Sequence, residues 1–176
     1  HLTVIDDLKD QPRLARGLAR TGRLAPEAMD HALETLGRMT QAAERRGVSR
    51  VAIIATSAVR DAANGGEFAE RVKRELGVPL EVIDGETEAR LAFLSVREHF
   101  AIVRGRTIVA DIGGGSLELV LAVGGLVEHV VSLPFGAVRT TEQHLGEGVD
   151  AVPGVRRLRA ALRQRLRRVV PAREWS

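Results

Sequence analysis

The run Asp111-Ile112-Gly113-Gly114-Gly115-Ser116-Leu117-Glu118 sets two carboxylates around three glycines and a hydroxyl. Glycines let the backbone approach a ligand closely, so consecutive N–H groups can converge on an anion. Ser116 adds a hydroxyl donor, and Asp111 beside such an anion suits a hard divalent cation, held directly or through water. Glu118 offers a second carboxylate if strand alternation turns it to the same side. The plain alternative is a glycine turn that Asp111 merely caps. The spacing matches neither the Gly-Lys-Ser/Thr phosphate loop nor a dinucleotide fingerprint.

Two further stretches carry groups of the same chemistry. In Ala55-Thr56-Ser57-Ala58-Val59-Arg60-Asp61, two hydroxyls leave a strand end and a guanidinium follows within one helical turn. Together they can grip a phosphate. Equally, Thr56 or Ser57 can be a helix cap and Arg60 a surface partner of Asp61. In Ile83-Asp84-Gly85-Glu86-Thr87-Glu88-Ala89-Arg90-Leu91 the acids occupy a first helical turn, where the helix dipole favours them. Glu88 has a different part only if it faces a cleft shared with Asp111. There it would orient and deprotonate a water attacking phosphorus, as a general base. The five histidines are scattered without the spacing of a metal cluster or a triad, and cysteine is absent. No thiolate chemistry is available to this chain.

The elements that must position these groups follow from hydrophobic periodicity. Leu2–Ile5 reads as a short strand, followed by a polar loop to Arg23. Pro26 opens a helix with Met29, Leu33 and Leu36 on its apolar face, and Gly47 ends it. Val51–Ala55 is a continuous apolar run, as in a strand covered on both faces. A polar turn from Thr56 to Gly66 leads to a helix carrying Phe68, Val72 and Leu76, stopped at Gly77. Pro79–Ile83 is expected to be a strand, and a helix begins after Asp84-Gly85. Thr107–Ile112 and Leu117–Val123 flank the glycine turn, and Gly124-Gly125 makes a hairpin into Leu126–Leu133. A helix after Gly136 and a basic one over Val155–Val170 complete the chain. Strands alternating with helices and then a glycine-joined meander predict an α/β architecture. Arg104-Gly105-Arg106 marks a junction between two lobes.

The charge is unevenly spread over the 176 residues. Residues 1–150 hold 18 Lys+Arg against 22 Asp+Glu, whereas residues 151–176 hold eight Arg against one acid. The basic character thus belongs to the C-terminal segment, with an apolar stripe at Val155, Leu158, Leu162, Leu166 and Val169. This reads as the solvated face of a packed helix or as a track for a polyanion. Without interleaved aromatics, sequence-specific nucleic-acid binding is not expected. No apolar run reaches the length of a membrane span, so a membrane partner is not expected and the cytoplasm is the expected location.

Standing in one order, the three stretches resemble the exopolyphosphatase/guanosine pentaphosphate phosphohydrolase (Ppx/GppA) family. Ser132-Leu133-Pro134-Phe135-Gly136-Ala137-Val138-Arg139 is similar to the segment that follows them there, and the likeness covers about residues 2–145. It implies an actin-like (ribonuclease H-like) two-lobed α/β fold, with mixed sheets flanked by helices and an acidic cleft between the lobes. Residues 1–104 would be a first lobe without its N-terminal strands. Residues 105–176 would begin the second lobe, ending in the basic helix. The family opens with a strand and a phosphate loop, roughly Asp-Gly-Ser-Asn, ahead of this start, so the resemblance implies a fragment incomplete at both ends. Thr87 stands where an acid is frequent.

By the same resemblance, Glu88 is the catalytic base. Asp111 and Glu118 hold Mg²⁺ or Mn²⁺, and Arg60, Gly113, Gly114, Gly115 and Ser116 bind phosphate, joined by Thr56 and Ser57 on the reading of the residues given above. The implied activity is metal-dependent removal of terminal phosphate from inorganic polyphosphate, from guanosine pentaphosphate, or from both. The stringent response is then a natural setting, and a homodimer is plausible. Two rivals predict different observations. A non-catalytic sensor of polyphosphate or alarmone binds without releasing phosphate, and an actin-like ATPase or kinase hydrolyses or transfers from ATP.

Overall fold

A computed structural model describes residues 4–100, 102, 104–145 and 151–170. Of the strand expected at Leu2–Ile5, the first two residues lie outside this set, and Val4 and Ile5 are exposed and belong to no strand. The loop before Pro26 contains a single helical turn, α1 (Leu18–Thr21), bounded by Gly17 and Gly22 at φ 75° and 68°. Both glycines occupy the left-handed region that residues with a Cβ avoid.

The first core is built on a parallel pair of short strands. Helix α2 (Pro26–Arg45) begins with proline at its start, where the missing N–H costs nothing. Strand β1 (Ile53–Ala55) leads through α3 (Ser57–Asp61) and α4 (Gly65–Leu76) to β2 (Leu80–Val82). The register pairs Ile53 with Leu80 and Ala55 with Val82. Leu33, Ile53, Ala55, Val59, Phe68 and Val72 are buried together as one cluster. Gly77, at φ 71°, ends α4 with its N–H bonded to the Lys73 carbonyl. Two sequence expectations need correction here. The stretch Thr56–Gly66 is largely helical rather than a polar turn, because Val59 turns inward to the cluster and pulls α3 onto the sheet. Strand β1 is covered on one face only: Ile54 points away from the cluster and is 47% exposed.

The second core forms around an antiparallel meander. Helix α5 (Gly85–His99) precedes β3 (Arg106–Ile112), β4 (Leu117–Val123) and β5 (Leu126–Leu133), in the sheet order β3-β4-β5. The Gly124-Gly125 turn has φ of 58° and 81°, the left-handed pair a two-residue hairpin needs. Ala89 and Phe93 of α5 pack into Val109, Val120 and Ala122 on one face of this sheet. That contact fixes the N-terminus of α5 over the ends of β4 and β5. A short helix, α6 (Ala137–Thr140), continues as a π-helical turn over Thr141–Leu145. The basic helix α7 (Ala151–Val169) starts earlier than its apolar stripe suggested, with Pro153 tolerated in its first turn. It rests on the π-helical turn, where Arg157 Nη2 donates to the His144 carbonyl at 3.1 Å. Leu158, Leu162 and Leu166 are half-buried, whereas Arg156, Arg159, Arg163, Arg167 and Arg168 are exposed. No described helix is long and apolar enough to cross a membrane.

Candidate functional site

The first juxtaposition joins α3 to α5. Arg60 Nη1 donates to Glu88 Oε2 and to the Ile83 carbonyl, both at 2.9 Å. Its Nε also lies 3.7 Å from Asp61, so the surface pair foreseen as an alternative coexists with the inward one. Both partners of the Arg60–Glu88 pair are largely covered, at 23% and 16% side-chain exposure. Asp84 caps α5 by accepting from the Thr87 N–H at 2.7 Å. That bond, helped by the Thr87 hydroxyl and the nearby Arg60 guanidinium, holds its carboxyl below the usual carboxylate range. Gly85 then seats the helix on β5: a Cβ there would stand 2.5 Å from the Ser132 side chain.

The second feature is a group of carboxylates. Asp111 and Glu118 are direct cross-strand partners, so their side chains leave the same face. Asp111 is exposed at the strand end, whereas Glu118 is 1% exposed and accepts from Ser132 Oγ at 2.8 Å. Burial pushes the Glu118 carboxyl above its ordinary value. The Ser116 and Ser132 hydroxyls oppose that rise, and the charges of Glu88 and Asp111 reinforce it. Glu88 therefore belongs to the same electrostatic neighbourhood as the pair on β3 and β4. Ser132 reaches Glu118 because of a β-bulge in β5. Beyond the irregularity at Leu121/Ala122 the register shifts by one residue, which sets Ser132 rather than Val131 opposite Glu118.

The third feature is the glycine turn. Gly113 N–H closes it on the Ser116 carbonyl at 3.0 Å. The amides of Gly114, Gly115 and Ser116 donate to no acceptor among the described residues. Three consecutive unpaired donors are the arrangement that binds oxyanions. Gly136 lies against them so closely that a Cβ would stand 2.4 Å from the Gly115 and Ser116 nitrogens. Ser57, 2% exposed, brings a buried Oγ with no hydrogen-bond partner to the same loop. A Cβ on Gly115 would meet that oxygen at 2.1 Å.

The residues singled out in the sequence fall into linked places. Arg60 and Glu88 touch, Asp111 and Glu118 face one another, and Ser57 meets the Gly113–Ser116 turn. Thr56 stands at the start of α3, but its side chain does not cap the helix and bonds to none of the others among the described residues. Ser132 and Arg139, which the sequence offers only as part of a family-like segment, and Asp61, offered only as a surface partner of Arg60, also reach the site. Arg139 donates to Asp61 across 78 residues of chain, a contact that no local signal announces. Among the described residues no three acidic or histidine side chains form a metal cluster by themselves. The arrangement can hold an oxyanion on backbone amides and a hydroxyl, with a guanidinium and a carboxylate poised beside it.

Known proteins resemble this chain in sequence and in fold. Residues 1–174 match the Ppx/GppA phosphatase family. Exopolyphosphatase 1 of Mycobacterium leprae is 40% identical over 158 residues, 90% of this chain and 46% of that protein. A crystal structure of the Aquifex aeolicus Ppx/GppA family member superposes with a TM-score of 0.68 at 36% identity, over 90% of this chain and 51% of that one. An exopolyphosphatase-like protein superposes with a TM-score of 0.86 at 30% identity, over 96% of this chain and 53% of that one. The chain thus spans about half the length of the relatives it matches. Over the residues covered, its architecture is the α/β fold of these Ppx/GppA and exopolyphosphatase-like structures, as the resemblance implied.

Proposed function

The chain belongs to the Ppx/GppA phosphatase family, and from that membership and the site's geometry we propose that its protein hydrolyses the terminal phosphoanhydride of inorganic polyphosphate. The observation that carries this reading is the convergence of Glu88 and Arg60 with Glu118, Asp111 and the unpaired amides of the glycine turn. The name of the M. leprae relative puts polyphosphate first. Guanosine pentaphosphate presents the same terminal group and is the second substrate to assay.

In this mechanism the amides of Gly114, Gly115 and Ser116, with Ser57 Oγ, hold the oxygens of the phosphoryl group. Arg60 bridges that group and Glu88, keeping the carboxylate in place through its bonds to Glu88 and the Ile83 carbonyl. Glu88 takes a proton from the attacking water. The water oxygen bonds to phosphorus, the bond from phosphorus to the bridging oxygen breaks, and orthophosphate leaves a chain one unit shorter. Positioning and charge neutralisation supply most of the rate, as in phosphoryl transfer generally.

The residues fit a divalent cation. Glu118 and Asp111 share a face; burial is the main cause of the raised Glu118 carboxyl, and the repulsion from Glu88 and Asp111 that adds to it is what a cation relieves. One or two carboxylates plus substrate phosphates is the usual environment of Mg²⁺. When bound there, Mg²⁺ or Mn²⁺ would neutralise charge on the phosphoryl oxygens.

The deciding experiment is a phosphate-release assay on the complete gene product, with tripolyphosphate, long-chain polyphosphate, guanosine pentaphosphate and ATP, with and without Mg²⁺. Release from polyphosphate that depends on Mg²⁺ is expected. Tight binding without release would favour a sensor, and turnover confined to ATP would favour an ATPase or kinase.

The raised Glu118 carboxyl adds a pH dependence. Its protonated form persists to a higher pH than an ordinary glutamate near ~4.3. Lowering the pH through that raised value protonates Glu118 and removes a cation ligand. Mg²⁺ affinity, measured calorimetrically, should therefore decline above the ordinary carboxylate range, and Glu118→Gln should weaken and flatten the profile. In the metal-free protein the folded state holds this proton more tightly than the unfolded chain. Its stability contribution is complete below the unfolded value and is lost as pH rises through the folded one. A Mg²⁺ affinity constant down to pH ~4.3 would refute the assignment of Glu118.

A further inference from the structure

Arg139 and Asp61 have no part in the mechanism above, yet they meet at its edge. Arg139, in α6, donates from Nη2 to Asp61 Oδ2. Asp61 also stands 3.7 Å from Arg60 Nε, so one carboxylate is flanked by two guanidinium groups, one from α3 and one from α6. The Arg139 side chain is only 16% exposed. Its backbone N–H donates to the Gly114 carbonyl at 3.1 Å, which ties α6 to the glycine turn. Its Nη2 lies 3.8 Å from where a Cβ on Gly115 would stand, the same point that Ser57 Oγ approaches from the other partner helix.

What gathers at Gly115 is a set of donors for which Asp61, bonded to Arg139, is the one acceptor among the described residues. The amides of Gly114, Gly115 and Ser116 are unpaired, and Ser57 Oγ is buried without a partner. Arg139 carries five N–H groups and can accept nothing. A buried donor left unmade is costly, and Ser57 Oγ is one, while the carboxylate of Asp61 engages only one nitrogen of the Arg139 fork. A condensed phosphate supplies acceptors to both, because one phosphoryl group can lie on the amides while the oxygens of its neighbour meet the fork.

We propose that Arg139 is a second phosphate-binding guanidinium of this site and that Asp61 is the positioning residue that spaces it from Arg60. This rests on the phosphoanhydride reading and deepens it. Arg60 is engaged with Glu88, where the terminal phosphorus is attacked, so Arg139 takes a neighbouring phosphoryl group of the same substrate. The site then selects condensed phosphates over compounds with a single phosphoryl group.

The test uses the complete gene product, with tripolyphosphate as probe. Arg139→Gln should raise the calorimetric Kd and the KM for tripolyphosphate about tenfold or more, as expected for charge-assisted hydrogen bonds, and lower kcat by less. Inhibition by inorganic phosphate, which offers one phosphoryl group, should change less than tripolyphosphate binding does. Arg139→Lys keeps the charge but loses the fork, and its Kd should fall between wild type and Arg139→Gln. It carries the test if the Gln variant does not fold. Asp61→Asn leaves the cation in place and should raise KM less than Arg139→Gln. A pair that only bridges two elements predicts otherwise: both variants would lower Tm alike and leave KM unchanged. Unchanged Kd and KM in Arg139→Gln and Arg139→Lys, or equal effects of Asp61→Asn and Arg139→Gln, would overturn the proposal. If the wild-type protein neither binds nor hydrolyses tripolyphosphate, the functional reading falls first. If it does both and the Arg139 variants match it, only the role of Arg139 is lost.

Discussion

Phosphate release from tripolyphosphate should fall by about 10²- to 10⁴-fold when Glu88 is replaced by Gln, the range a positioned general base contributes. Glutamine keeps the volume and one carbonyl oxygen but cannot take the proton of the attacking water. The Arg60 guanidinium stays in place in this variant, because it also bonds the Ile83 carbonyl and lies near Asp61. Binding of tripolyphosphate should therefore survive, and the loss should appear in kcat far more than in KM. A burst experiment with limiting enzyme separates the chemical step from product release. Turnover within a few-fold of wild type would show that another group activates the water. Loss of binding together with loss of turnover would instead mean that Glu88 serves mainly to hold Arg60.

The second large effect is expected at Gly136, which carries no chemical group. A Cβ there would meet the Gly115 and Ser116 nitrogens at 2.4 Å and the Gly114 carbonyl carbon at 2.5 Å. These are backbone atoms of the glycine turn, so no side chain can rotate away to relieve the clash. The φ of Gly136 is −70°, which any residue adopts, so the constraint is close approach and not backbone conformation. Gly136→Ala should thus push the turn out of shape and misalign its three unpaired amides. Overpacking of this kind costs on the order of 1–3 kcal/mol, visible as a lowered Tm. Tripolyphosphate affinity should drop further than stability alone explains. Gly66→Ala is the control: a Cβ there meets nothing within 4 Å, in helix α4. A Gly136→Ala protein with wild-type Tm and wild-type affinity would mean that the turn does not sit against α6 as described.

Both predictions depend on contacts between distant segments, which marks the line between local and tertiary information. The strand limits Leu117–Val123 and Leu126–Leu133 follow from apolar runs that meet at Gly124-Gly125 and end outward at Ser116 and Pro134, and the structure has them at those residues. The stops at Gly77 and at Gly124-Gly125 follow from left-handed backbone geometry. Pairing of Asp111 with Glu118 was also within reach, since a short symmetric turn between Ile112 and Leu117 leaves little choice of register. The helical content of Thr56–Gly66 was not, because a short helix is stabilised by what it packs against more than by its own propensity.

The amino-acid sequence by itself determined the identity and order of the three chemical stretches, the alternation of strands and helices, and the concentration of arginine near the C-terminus. Those properties are written in composition, periodicity and turn residues, each of which acts over a few positions. Only the tertiary structure decided which side chains meet. It joined Arg60 to Glu88 and Arg139 to Asp61, and it buried Ser57 Oγ against Gly115. One bulge in β5 made the difference between a hydroxyl and an isopropyl group opposite Glu118. A shift of one residue reverses the face of every side chain beyond it, so no reading of local pattern specifies that partner.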